Sequence, residues 1–362
     1  MKKFINISLI AGILCLFFGA GMFFVGGAMG GGKVVKKLDF SSMLTTDSKN
    51  LEKEYAVLKK TKINDFDKIN VKLNTIDFKI ARSDDKNCYI EYNLKKEKGE
   101  VPIDYEVTKG EFKLIQKSNH VTVNMDLSGI EALLGGTKDY VQKNQFTLYL
   151  PEDKKISSTE LDTADGDISV DRLKSDNIDI SVDAGDIKLS DADSKDIKIS
   201  SSDGDISVKG SKFASATINN SDGDTKFEDI DIDSGKISTN DGDISVKNTS
   251  LKGIDITDNY GDIKCSDGSF EDIAVNLNDG DLRLQNTKFA GNIKIKSGYG
   301  DVKVIGFDDW KGISVNAKTS YGDVSVKNIT DGDKTEKSFE RNIDSATATL
   351  EIKCSDGDIS IR

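Results

Sequence analysis

Asp-Gly-Asp-Ile-Ser-Val at residues 165–170 recurs unchanged at 203–208 and at 241–246. Halving that interval exposes the full series. Gly166-Asp167, Gly185-Asp186, Gly204-Asp205, Gly223-Asp224, Gly242-Asp243, Gly261-Asp262 and Gly280-Asp281 follow one another every 19 residues. Gly300-Asp301, Gly322-Asp323 and Gly357-Asp358 continue the series at longer returns. A fixed period near 20 residues marks a solenoid, whose units bury their apolar faces only against neighbours. The expected fold is all-β: a right-handed parallel β-solenoid of two-strand rungs of about 19 residues.

Within one rung, Ile168 and Val170 fall two and four places after Gly166, and Ile178 and Ile180 fall twelve and fourteen places after it. The same slots hold Ile187, Leu189, Ile197 and Ile199 in the next rung, and Ile244, Val246, Ile254 and Ile256 further on. Alternate residues of a strand face opposite sides, so these aliphatics point inward. A larger apolar residue between the strands (Leu173, Phe213, Leu251, Phe270, Phe289, Trp310) is expected to plug a corner. Glycine at the turn is expected to supply a positive φ, and the adjacent aspartate to bond exposed amides. Stacked aspartates repel one another, and Lys188, Lys226, Lys264, Arg283 and Lys303, two places after them, are positioned to offset this.

Strand-like alternation begins earlier, at Ile69-Val71-Leu73, Ile76-Phe78-Ile80 and Phe146-Leu148-Leu150. Residues 62–160 are read as irregular first rungs and 161–362 as regular repeats, about 15 rungs and roughly 70 Å in all at about 4.8 Å per rung. Two insertions, 128–143 and 327–349, are expected to cover solenoid ends, since open strand edges invite association. The last strand, Ile359 to Arg362, is expected to be such an edge, covered by the second insertion or paired end to end with another copy.

The first 32 residues have a different character. Lys2 and Lys3 precede a largely apolar run over 4–25, long enough to cross a bilayer core of about 30 Å as a helix. Residues 1–32 are therefore read as a membrane anchor and 33–61 as a juxtamembrane linker, with Leu51, Tyr55 and Leu58 on one helical face. Lysines flank both sides of the run, so charge does not fix its orientation. The chain has 362 residues, a net charge of −12 and a single histidine, which excludes a phosphate-binding basic surface and hence a nucleic-acid partner. Cys265 and Cys354, about four rungs apart, are expected to be free thiols.

Repeated Asp-Gly-Asp invites a calcium reading, since calcium takes six to eight oxygen ligands. The calcium-binding β-roll has a nine-residue period with further glycines that this chain lacks, and a structural turn is the preferred reading. An enzyme is disfavoured: ten equivalent aspartates offer no pair of displaced pKa values, and lone His120 offers neither a triad nor a histidine metal site. The most individual surface feature lies just before Gly-Asp, where Tyr260, Tyr299 and Tyr321 replace the usual aspartate. They read either as corner stacking or as a step, with Tyr299 and Tyr321 adjacent, on which a sugar or partner chain rests.

Gly166 to Val170 and Gly242 to Val246, downstream of one anchor and of a β region opened by Phe66-Asp-Lys-Ile-Asn-Val71, resemble the bacterial putative adhesin family. The resemblance spans about residues 62–362. It implies a surface-displayed β-helix without assigned catalytic residues. The expected function is a membrane-anchored, extracytoplasmic, non-catalytic scaffold meeting a cell-wall glycan or an envelope protein and needing no cofactor. The alternatives are an accessory or sensor of envelope-stress signalling and, third, a polysaccharide-active enzyme.

Overall fold

Each rung carries the alternation into two unequal strands. Ile168–Asp171, Ile187–Ser190, Ile206–Lys209 and Ile244–Lys247 are short strands that lie parallel and in register, with Ile187 between Ile168 and Ile206. The second strand is longer than the sequence implies: Lys174–Ala184, Asp193–Asp203 and Lys212–Asp222 have 11 residues each. In later rungs it splits in two, as at Ser250–Lys252 and Ile254–Asp258. This computed structural model describes residues 54–117, 144–307 and 310–362, all within one of the chain's two compact units, Glu54–Asn124 with Tyr140–Arg362.

The core is an aliphatic column between the two sheets. Ile180, Ile199, Ile218, Ile237 and Ile256 follow one another up the long-strand sheet, each fully buried. Burying each such side chain contributes about 1.5–3 kcal/mol, opposed by backbone ordering of about 1–2 kcal/mol per residue. The expected plugs are buried as well, and Phe307 joins two of them, at 5.4 Å from Phe289 and edge-on to Trp310 at 4.8 Å. A second corner, six places after the glycine in the rungs from Gly166 to Gly300, was not foreseen. There Asp191, Asp229, Asn248, Asp267 and Asn286 take left-handed φ of 50–57°. Short polar side chains tolerate that conformation by bonding locally, and Asn286 Nδ2 donates to Asp267 Oδ1 at 2.9 Å.

The rungs are not stacked in chain order at either end. Lys68–Leu73 and Asp77–Arg82 form a rung whose neighbours are Glu111–Gln116 with Gln145–Leu150 on the outer side, and Lys155–Thr163 with Ile168–Asp171 on the inner. At the other end Ala348–Asp356 and Ile359–Ile361 slot between the Gly300 rung (Lys288–Tyr299, Val302–Ile305) and the Gly322 rung (Ile313–Thr319, Val324–Val326). The C-terminal strand is thus paired on both sides. The expected edge there does not exist, and with it goes that ground for end-to-end pairing. The second insertion does cover an edge, though a different one: Ser338–Arg341 pairs antiparallel with Ile313–Thr319. Arg341 Nη1 donates to the carbonyls of Trp310 and Ile313, at 2.7 and 3.1 Å.

Three further expectations change. The short-strand sheet has fourteen strands, of which Tyr55–Lys62 and Tyr89–Lys95 are antiparallel at one edge, leaving twelve parallel rungs among the described residues in place of fifteen. Period-two alternation is common to parallel and antiparallel strands, so hairpins at the cap read as rungs. Residues 55–62, read as the end of a linker with Tyr55 and Leu58 on a helical face, are that edge strand; its exposed lysines 59, 60 and 62 blunt it. Cys265 and Cys354 are free, buried thiols as expected, on different sheets and three rungs apart rather than four. Among the described residues no helix is long and apolar enough to cross a membrane; the expected anchor over 4–25, the insertion at 128–143 and His120 lie outside them.

Intercalation makes the C-terminal segment structural rather than terminal. Deleting residues 346–362 should sharply reduce hydrogen-exchange protection across 313–326, where only the Ser338–Arg341 partner remains, and weaken it at 302–305, because both flanking rungs lose a partner. Loss confined to the deleted segment, read by hydrogen exchange with mass spectrometry, contradicts the rung order.

Candidate functional site

The corner before each short strand is where successive backbones come closest. A Cβ on Gly185 would stand 2.6 Å from the carbonyl oxygen of Gly166, and one on Gly204, Gly223, Gly242, Gly261, Gly280, Gly300, Gly357 or Gly322 would overlap the corresponding oxygen of the adjoining rung. Gly185 also has a left-handed φ of 146°. Gly261 does not, yet has no room for a side chain. The common cause is therefore close approach of stacked backbones, with positive φ as a frequent companion rather than the single reason expected from sequence.

The aspartates form one continuous ladder. Asp186 N–H donates to Asp167 Oδ1 at 2.9 Å, and the pattern repeats through Asp205, Asp224, Asp243, Asp262, Asp281, Asp301, Asp358 and Asp323 at 2.8–3.2 Å. It begins one rung earlier, where Asp167 N–H donates to Asp77 Oδ1 at 3.1 Å. Asp77 was missed because Ile76, not glycine, precedes it; Phe78 and Ile80 at the usual offsets were the available signal. Each carboxylate thus caps the next rung's amide, not its own turn's. Of the cations expected to relieve repulsion, Lys188 reaches Asp186 at 2.9 Å, Lys264 reaches Asp243 and Asp262 at 3.1 Å, and Lys303 reaches Asp301 at 2.8 Å. Arg283 turns to Gln285 instead, and Lys226 has no ion pair among the described residues. The Lys188 and Lys303 ammonium groups hold the Asp186 and Asp301 carboxyls below their ordinary range, and the Asp281 amide does the same for Asp262.

Beside this ladder runs the tyrosine column. Tyr260, Tyr299 and Tyr321 are 62, 60 and 80% exposed, which makes them the most exposed aromatic side chains among the described residues. Rung order corrects their spacing. Asp279 pairs with Tyr299, Tyr299 pairs with Asp356, and Tyr321 lies beyond Asp356, its N–H bonded to Ser355 O at 3.2 Å. With Asp258 opposite Leu277, the edge reads Tyr260, Asp279, Tyr299, Asp356, Tyr321. Tyr299 and Tyr321 are therefore not adjacent. Successive rings stand two rungs apart, about 9–10 Å, too far to stack on each other.

Chemistry elsewhere on the molecule is self-cancelling. A surface hollow near the cap contains Asp65 and Lys154, paired at 2.6 Å, and Arg82 paired with Glu152. The Lys154 ammonium holds Asp65 below the usual carboxylate range. Among the described residues Asp258 is the one carboxyl pushed upward, to about 6, by burial. It is fully buried behind Tyr260, with Oδ1 accepting from the Tyr260 and Gly261 amides at 3.3 and 3.1 Å, so no substrate reaches it. No group of three or more metal-ligating side chains occurs among the described residues, and ladder Oδ1 atoms are committed to amides.

Two predictions follow from this corner. Gly242→Ala should destabilise by about 2–4 kcal/mol, more than the roughly 1–2 kcal/mol of Asp224→Ala, which removes one charge-assisted bond. Equal denaturant midpoints for the two variants would remove backbone approach as the cause. For Asp258 the folded group titrates near 6 against an ordinary 3.8, so its contribution to stability is complete below 3.8 and is lost as pH rises through about 6. Asp258→Asn should therefore gain about 1–3 kcal/mol over wild type at pH 7 and no advantage at pH 3.5, measured as the difference between the two unfolding curves.

The family comparison agrees with this architecture. The profile of the family described as Toastrack DUF4097 matches residues 66–266 and 219–362. A putative adhesin of Parabacteroides distasonis ATCC 8503 is 14% identical, over 69% of this chain and 97% of its own, with a TM-score of 0.45. A putative adhesin of Bacteroides fragilis NCTC 9343 is 16% identical, over 64% and 96%, with a TM-score of 0.40. A putative lipid binding protein of P. distasonis is 16% identical, over 70% and 94%, with a TM-score of 0.37. No curated protein matches the chain. With the family profile spanning the solenoid from its first rung to its last residue, this chain belongs to the Toastrack DUF4097 family.

Proposed function

We propose that the protein is a non-catalytic binding scaffold of the bacterial cell envelope, tethered by residues 4–25 and displaying a right-handed solenoid outside the cell. The observation that carries this reading is the alternating edge Tyr260, Asp279, Tyr299, Asp356, Tyr321. Exposed tyrosines offer flat apolar faces with a polar tip, and the carboxylates between them accept hydrogen bonds from hydroxyl or amide donors. An extended glycan in which alternate sugars present the same face repeats over two units, and a two-rung step of roughly 10 Å is commensurate with that repeat. A cell-wall glycan running along the edge is thus the preferred partner, with an envelope protein as the alternative.

An open edge of this kind favours binding over turnover. Hydrolysis of a glycan needs a proton donor and a second carboxylate facing it across a cleft. The ladder carboxylates beside this edge, Asp262, Asp281 and Asp301, each spend one oxygen on a neighbouring amide, and among the described residues the one carboxyl with a raised pKa is sealed in the core. No cofactor enters this reading.

The test is a sedimentation assay with purified wall glycan. Replacing Tyr260, Tyr299 and Tyr321 by serine should weaken binding at least about tenfold, with the circular dichroism spectrum and thermal midpoint retained. Undiminished binding by a folded variant removes the edge as the site; capture of a protein instead of glycan by intact-cell pull-down moves the reading to the alternative partner.

A further inference from the structure

The inward position three places before each Gly-Asp glycine is apolar in Val182 and Leu277, but four consecutive rungs between them place Ser201, Asn220, Thr239 and Asp258 there. Direct pairing puts these four next to one another: Ser201 opposite Asn220, Asn220 opposite Thr239, Thr239 opposite Asp258. All are at least 95% buried. In each, one side-chain oxygen (Ser201 Oγ, Asn220 Oδ1, Thr239 Oγ1, Asp258 Oδ2) has no hydrogen-bond partner among the described residues.

The remaining polar atoms of the group are spent on the corner. Asn220 Nδ2 donates to Gly223 O at 2.9 Å and to Gly204 O at 3.2 Å, which turns its Oδ1 away from those carbonyls. Asp258 Oδ1 takes two amides, as described above. In other rungs the same position is satisfied directly: Thr319 Oγ1 donates to Gly357 O at 2.9 Å and accepts from Gly322 N–H at 3.1 Å. At this inward position unpartnered oxygens are therefore particular to this run of four, and a buried polar atom left unmet is destabilising.

We infer that Ser201, Asn220, Thr239 and Asp258 line a closed internal compartment that binds a file of water molecules, bounded by Val182 and Leu277. Oxygens on adjacent rungs lie about 4.8 Å apart, too far for a direct bond and suited to one water bridging each pair. Hydroxyls at Ser201 and Thr239 alternate with acceptors at Asn220 and Asp258, so a bridging water finds both a donor and an acceptor in every gap. A metal ion fits less well. Only two adjacent rungs reach any one point, which supplies two of these oxygens where a hard cation such as calcium takes six to eight.

Thermal unfolding of the full chain in detergent decides the matter by the sign of an isosteric change. Thr239→Val removes a hydroxyl without changing volume. If water satisfies that hydroxyl, the midpoint falls by about 2–4 °C; if the column is dry, removing an orphaned group raises it, and the inference is wrong. Thr239→Ser, which retains the hydroxyl, should fall less than Thr239→Val; an equal or larger fall assigns the loss to packing and overturns the inference. Sodium, potassium and choline chlorides at one ionic strength should give the same wild-type midpoint. A sodium- or potassium-specific rise that Asp258→Asn abolishes would mean that a cation, not water, occupies the compartment.

Discussion

Everything in this solenoid depends on how closely one rung's corner backbone can approach the next. At the Gly-Asp step the carbonyl of one glycine occupies the space where the next would carry its Cβ. That approach sets the following aspartate's amide within reach of the carboxylate before it, and ten bonds of this kind run from Asp77 to Asp323. The aliphatic column supplies most of the stabilising free energy, but burial is non-directional. Direction comes from the ladder. A slip of one residue would turn every inward isoleucine to solvent and break each amide bond at once, so register is doubly fixed.

The ends of the stack show what the ladder permits. Because Gly322 and Gly357 carry the same corner, either can follow Gly300, and the fold places the later one first. Threading the final strands between two earlier rungs keeps Ile359–Ile361 off the open edge. The outermost rung is then a short one, Val324–Val326 beside Ile313–Thr319, with the Ser338–Arg341 strand laid across it. At the opposite end antiparallel strands do the same work: Tyr55–Lys62 closes one sheet with lysines along its length. Both ends thus meet the hazard of a naked parallel edge by reversing strand direction.

Much of this was legible in the sequence, and the limits are physical. The Gly-Asp period, the inward isoleucines, the corner plugs and the three exposed tyrosines are all read from side-chain identity at a fixed offset, and the structure places them there. Stacking order is different in kind. The ladder contact between Gly300 and Gly357 is chemically the same as that between Gly300 and a Gly322 neighbour, so nothing local distinguishes them. The same degeneracy hid the antiparallel cap, where Tyr89–Lys95 alternates as a parallel strand would. Other features left a trace that was overlooked. Asp or Asn six places after the glycine marks the left-handed corner, and Ser201, Asn220, Thr239 and Asp258 make a run of four polar residues at one inward position.

Rung order also changes what the tyrosines can do. Adjacent rings would make one continuous platform; rings at alternate rungs, with Asp279 and Asp356 between them, make a ruler. A solenoid fixes that ruler more tightly than a free loop does, because Tyr299 ends a strand hydrogen-bonded on both sides and Tyr260 and Tyr321 each sit two residues beyond the end of a stacked strand. Recognition on the proposed reading then rests on matched periodicity, each contact weak and the set additive along the ligand, so that shortening the glycan below the span of three rings should cost affinity steeply. On that reading the same rigidity makes a pocket unnecessary: the ordering that a cleft obtains by enclosing its ligand would be built into the repeat, and the aspartate ladder that holds the repeat is the element on which the edge stands.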